Sequence, residues 1–119
     1  MPRIFFPSSK PRFVNPSEVI QKFRQIAQTV KKNHSKVEEI FLFGSYAQGN
    51  AALRSDADIL VVLSRDSRPM MKRLDEFILA FLDGPSPVDV LVYTRQEINA
   101  EIKRGNRFLK QAVQGIKLI

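Results

Sequence analysis

Apolar positions along the chain change their period several times, and each change marks an element. Val19, Ile20, Phe23, Ile26, Ala27 and Val30 recur at helical spacing to about Lys32. This predicts an amphipathic helix beginning near Pro16, with Asn15 or Ser17 as its cap and its basic residues on the outer side. Val37 to Phe43 reads as a strand ending at Gly44, and Ile59 to Leu63 as a second, continuous apolar strand of the kind buried on both faces. Met70, Met71, Leu74, Phe77, Ile78, Phe81 and Leu82 mark a second amphipathic helix. A Gly-Pro-Ser-Pro turn at Gly84 to Pro87 leads into a third strand, Val88 to Tyr93. Thr94 then caps a last helical stretch with Ile98, Ile102, Leu109 and Val113 inward, Gly105 and Asn106 as a place to divide it, and Gly115 as its stop. Short strands alternating with helices argue for an α/β (α+β) sandwich of modest size.

The segment before the first helix is of another kind. Four of the seven prolines (Pro2, Pro7, Pro11, Pro16) fall within residues 1–16, which excludes a helix there and suggests an extended, basic arm in front of a domain spanning 17–119. Ile4, Phe5, Phe6 and Phe13 imply that part of the arm packs, either on its own domain or on another chain. The arm has no long apolar h-region and no small-residue cleavage site, so it does not read as a signal peptide.

Composition and charge add limits. At 119 residues the chain has room for one core, and no apolar run approaches the roughly 20 residues of a membrane helix, so a membrane partner is not expected. With no cysteine, disulfides and thiolate metal sites are excluded, which fits a cytoplasmic setting. The net charge of +7 is localised: residues 1–36 hold eight Lys and Arg against Glu18 alone, and the remainder is balanced. That excess is a solvated helix face and tail, or a surface for RNA or an acidic partner. The interleaved aromatic and basic residues of a base-stacking surface are missing there, which favours the former.

Chemistry concentrates in FLFGSYAQGNAALRSDADILVVL, Phe41 to Leu63. Gly44 and Ser45 stand where a strand gives way to a helix beginning near Tyr46. There, glycine admits a ligand close to the backbone, and helix amides with the Ser45 hydroxyl can face an anion. An isolated Gly-Ser is more often a helix cap. Asp56 and Asp58, two apart on a strand, project to one side with Cα atoms about 7 Å apart. Asp89 is the single charge in a run with the propensities of a central strand. If that strand lies beside Ile59 to Leu63, three carboxylates meet at one end of the sheet, an oxygen-rich cluster suited to Mg²⁺. The lone histidine, His34, is expected in solvent at the end of the first helix, and nothing resembles a zinc site.

Gly44-Ser45, ten intervening residues and Asp56-Ala57-Asp58, with Asp89 on a later strand and the C-terminal FLKQAVQGIKLI, resemble the minimal nucleotidyltransferases of the DNA polymerase β-like superfamily. The resemblance spans about residues 17–118. Gln48 stands where an arginine is frequent in that family, and Arg54 is the candidate to replace its charge at the triphosphate. The family implies a small mixed sheet flanked by helices, with Asp56, Asp58 and Asp89 catalytic and ligating two Mg²⁺ ions. It implies Gly44, Ser45, Arg54 and Ser55 on the nucleotide phosphates and ATP as the donor. It further implies an antitoxin paired with a helical toxin of the HEPN family, which receives AMP on a tyrosine. Two other readings compete: a nucleotide-binding or partner-binding subunit without chemistry, and an RNA-binding protein using the basic first helix. A homo-oligomer is compatible with the apolar arm and an open sheet edge.

Overall fold

The structure, a computed structural model, describes residues 4–6, 16–44, 57–82 and 84–119. Its elements in chain order are β1 (Ile4–Phe6), α1 (Pro16–Asn33), β2 (Val37–Phe43), β3 (Ala57–Leu63), α2 (Met70–Leu82), β4 (Val88–Thr94), α3 (Arg95–Lys103), α4 (Arg107–Ala112) and β5 (Ile116–Lys117). The strands form one mixed sheet in the order β1-β4-β3-β2-β5. β3 and β4 run parallel, joined through α2, and every other pairing is antiparallel.

This order follows from the hydrophobic pattern. β3 and β4 have apolar side chains on both faces and so occupy the centre, with one helical layer over each face. Ile59, Val61, Leu63, Val88, Val90 and Val92 turn toward α1 and α2, where Phe23, Phe77 and Phe81 complete a core. Leu60, Val62, Leu91 and Tyr93 turn the other way, toward Ile98 of α3 and Leu109 and Ala112 of α4, in a second core that Phe41 and Phe43 of β2 extend. α1 seats itself by Val19, Phe23, Ala27 and Val30, as its spacing predicts. Glu18 in its first turn and Lys31 and Lys32 in its last complement the helix dipole.

Several boundaries differ from the sequence expectation. α1 begins at Pro16, so Ser17 lies inside the helix, and Asn15 is outside the described residues. α4 ends at Ala112, short of the expected stop at Gly115, because the chain turns there into β5, a two-residue strand on the edge of β2 that buries Leu118. Too short to carry a periodic pattern, β5 has no signature in sequence. Part of the N-terminal arm joins its own sheet, since the backbone of Ile4–Phe6 pairs with β4. Among the described residues, no helix is long and apolar enough to cross a membrane.

On α2, Met71 is exposed and Arg73 is buried, the reverse of their hydropathies. Arg73 is accommodated because each of its three side-chain nitrogens finds an acceptor. Its Nη1 and Nη2 donate to Glu97 Oε1 and Oε2 at 2.6 and 3.0 Å, Nη2 to the Asp66 carbonyl at 2.7 Å, and Nε to the Arg68 carbonyl at 2.9 Å. Glu97 also closes the capping box of α3 with Thr94. One guanidinium thus ties α2, the loop after β3 and the start of α3 together across the end of the sheet. The Arg73 hydrogen bond outweighs burial and holds Glu97 below the usual carboxylate range. Beside it, hydrogen bonds from Arg68 hold Asp66 well below that range as well.

Arg73→Ala would strand the Glu97 carboxylate and two backbone carbonyls. Chemical denaturation should show a loss of about 2–3 kcal/mol, less than for a fully buried pair because Glu97 is partly open to water. Both carboxylates have folded values below their unfolded ones. Their contribution to stability is therefore complete above the ordinary carboxylate range of about 4 and drains away as the pH falls below it. Denaturation midpoints taken from pH 7 down to pH 2 should fall more gently for Asp66→Asn than for wild type.

Candidate functional site

β3 and β4 pair in parallel with Asp58 directly beside Asp89, each between two apolar residues of its strand. The parity of the strands puts both carboxylates on the face that carries Leu60 and Leu91, toward α3 and α4. Both side chains lie at the entrance to their strands, half-buried, before the hydrophobic run begins. The register is fixed just upstream, where the Ala57 amide donates to the Pro87 carbonyl at 2.8 Å. The buried Gly84 to Pro87 segment, legible in sequence only as a turn, is therefore what levels the heads of the two strands.

Gly44 closes the arrangement from the side of β2. Phe43 is the register partner of Asp58, so the chain leaving β2 passes the same carboxylate. Gly44 has φ +78, a left-handed conformation, and a Cβ built on it would overlap Asp58 Oδ2 and come within 3.2 Å of Cγ. Glycine is required here twice over, by the backbone angle and by the carboxylate against it. Ser45, Arg54, Ser55 and Asp56, along with the helix expected near Tyr46, lie outside the described residues. Of the sequence candidates, the structure thus brings together Gly44, Asp58 and Asp89. Among the described residues no three His, Cys, Asp or Glu side chains group closely enough to hold a metal ion.

Two other polar features are structural. His34 is not in open solvent: its side chain is 29% exposed, its ring lies 4.8 Å from that of Phe77, and Nδ1 is 3.8 Å from Glu76 Oε1. A cleft of about 480 Å³ lined in part by Lys36, Asp66 and Glu97 opens at the C-terminal ends of β3 and β4, opposite the carboxylate pair. Its acids are engaged by Arg68 and Arg73, which makes that end a joint between layers.

Comparison with known proteins assigns the chain to a family. The profile described as "Nucleotidyltransferase domain" matches residues 23–117, from the middle of α1 to β5. The chain belongs to this nucleotidyltransferase family. It is similar to "Putative protein adenylyltransferase MJ1379" of Methanocaldococcus jannaschii, 29% identical over 97 residues that make up 82% of this chain and 86% of the relative. It also resembles "Putative protein adenylyltransferase MJ0141" of the same organism, 33% identical over 61 residues, 51% of this chain and 58% of the relative. Among solved structures it superposes on a "putative nucleotidyltransferase" from Sulfolobus solfataricus with a TM-score of 0.61 and 26% identity, over 71% of this chain and 75% of the other. The mixed sheet with helices on both faces is accordingly a nucleotidyltransferase fold of the polymerase β-like type, and the protein is a nucleotidyltransferase enzyme.

The Gly44–Asp58 contact in this nucleotidyltransferase is measurable as a coupling. Gly44→Ala should cost about 1–2 kcal/mol for the left-handed backbone alone, with a further penalty from displacing the carboxylate. In a double-mutant cycle with Asp58→Ala, that further penalty should vanish and the two changes should be less than additive by at least about 0.5 kcal/mol. Strict additivity would mean that the two residues do not touch.

Proposed function

We propose that this nucleotidyltransferase transfers AMP from ATP to a hydroxyl of a partner protein, with divalent cations held at Asp56, Asp58 and Asp89. The observation that carries the reading is the register of Asp58 and Asp89 beside Gly44. Two carboxylates are held level on parallel strands, next to a backbone position kept free of any side chain. An all-oxygen pair of this kind fits Mg²⁺, which takes few carboxylates and completes its shell with water and phosphate oxygens. Bound there, two Mg²⁺ ions would neutralise charge on the donor phosphates and acidify the acceptor hydroxyl.

The residues of the chain supply the rest. Gly44 and Ser45 would offer backbone and hydroxyl donors to the β and γ phosphates, and Arg54 and Ser55 would add charge and hydrogen bonding to the triphosphate. Asp58 and Asp89, fixed by the β3–β4 ladder and the Pro87–Ala57 hydrogen bond, would orient the reacting groups with little rearrangement. A new bond forms between the acceptor oxygen and the α-phosphorus, the bond to the bridging oxygen breaks, pyrophosphate leaves and the acceptor proton passes to solvent. Little general-base machinery is required, in keeping with the absence of histidine from the motif.

A protein acceptor is favoured by the names of the two archaeal relatives. We assign as acceptor a tyrosine of a helical toxin of the HEPN class, the nucleotidyltransferase acting as its antitoxin, on the strength of the motif resemblance. Calorimetry should detect ATP binding that requires Mg²⁺ and falls by an order of magnitude or more in Asp58→Asn and Asp89→Asn. Label from the α-phosphate of ATP, and not from the γ-phosphate, should appear on the partner protein. ATP binding indifferent to both metal and aspartates would overturn the assignment in favour of a subunit without chemistry.

A further inference from the structure

The joint at the C-terminal ends of β3 and β4 leaves more room than its ion pairs need, a cleft of about 480 Å³. Three adjacent strands assemble it. Val37 at the start of β2 is the register partner of Leu63, the last residue of β3, and Leu63 lies beside Thr94, the last residue of β4. The Ser64 amide donates to the Lys36 carbonyl at 2.8 Å, which sets Lys36 next to the loop leaving β3. That loop is pinned in turn. Arg73 donates to the Asp66 and Arg68 carbonyls, and the Arg68 amide donates to Asp66 Oδ1 at 2.9 Å.

Every residue that lines the cleft is polar or charged, and the charges do not cancel. Asp66, its side chain 1% exposed, accepts from Arg68 Nε at 2.9 and 3.0 Å. Glu97 is closed by Arg73. Both acids are thus matched by arginines that stand outside the lining. Two cations inside it, Lys36 and Arg65, are exposed and have no carboxylate of a described residue within ion-pair distance. Lys36 touches Asp66 only through its field, as one of the influences that lower that carboxyl's pKa.

A ligand for this cleft must therefore be polar and negatively charged. The Ser64 and Ser67 hydroxyls and the Gln96 amide belong to the same lining and can donate to oxygen. A guanidinium offers paired N–H groups to an oxyanion, and an ammonium adds a compact charge. The volume falls within the range of about 300–1,000 Å³ of small-molecule sites. The place also agrees with the general behaviour of α/β sheets, which take ligands in crevices beyond the C-terminal ends of their parallel strands.

We propose that this cleft binds a phosphate group through Lys36 and Arg65, either as free phosphate or as the phosphomonoester of a small polar molecule. The site lies at the opposite end of the β3–β4 ladder from Asp58 and Asp89, and it does not depend on the nucleotidyl-transfer reading.

Inorganic phosphate and ribose 5-phosphate, titrated separately into isotope-labelled protein while backbone amide shifts are followed, test the assignment. Low salt limits screening, and EDTA keeps divalent cations from bridging phosphate to the carboxylate pair. Wild type should show saturable shifts at Ser64, Arg65, Ser67 and Gln96 with a dissociation constant of about 10 mM or tighter. Lys36→Gln and Arg65→Gln should each weaken binding by about fivefold and the double variant more, while Asp58→Asn binds as wild type does. Both replaced side chains are exposed, so an unchanged melting temperature should accompany the loss. Tighter binding of ribose 5-phosphate than of phosphate supports a phosphorylated small molecule as ligand, and equal binding supports phosphate itself. Absence of saturation at about 10 mM overturns the site, as does full binding by the double variant. Shifts lost in Asp58→Asn instead would put the anion at the carboxylate end and overturn it too.

Discussion

The parallel ladder between β3 and β4 governs most of this molecule. It demands strands that are apolar on both faces, and so it demands a helical layer on each side. It demands a crossover, which α2 supplies. The same ladder sets Asp58 against Asp89, and a hydrogen bond from Ala57 to the Pro87 carbonyl keeps the strand heads level. Charge is tolerated at that point because it falls where the strands enter the sheet, before Ile59 and Val90 close the core.

The two ends of the ladder are built differently. At the C-terminal end, Arg73, Glu97, Asp66 and Arg68 satisfy one another and several backbone carbonyls, binding the layers together. Arg95 does similar work nearby, reaching Glu38 and Glu39 of β2, and Lys117 of β5 meets the same Glu39 at 3.1 Å. The acids of that end are matched by arginine or lysine. At the N-terminal end, two acids sit side by side, with Gly44 packed against one of them.

Much of this was legible in sequence, for identifiable reasons. Helices α1 and α2 and the three long strands carry apolar periods long enough to read, and Thr94, Gly105 and Asn106 announce the divided C-terminal helix through capping chemistry. The alternation of strand faces placed Asp58 and Asp89 on a common side once their strands were neighbours. What could not be read depends on tertiary partners. Arg73 is buried because of four acceptors contributed by residues up to 24 positions away, which no local window contains. The two residues of β5 and the three of β1 are strands only because β2 and β4 offer them an edge. Ser45, Arg54, Ser55 and Asp56 rest on the motif alone.

Because side chains in a strand alternate, the placement of Asp58 is a matter of parity as much as of chemistry. Loss of Val61 or Val62, with the end of β3 held in place, would exchange the faces of the residues before it, sending the carboxylate toward the α1–α2 core and Leu60 to the opposite layer. Loss of two residues would restore the faces and slide the carboxylate past Asp89 by one pleat. β3 should therefore accept substitutions of similar volume far more readily than changes of length, and the tolerance of this protein to insertions and deletions ought to be lowest across seven residues at its centre.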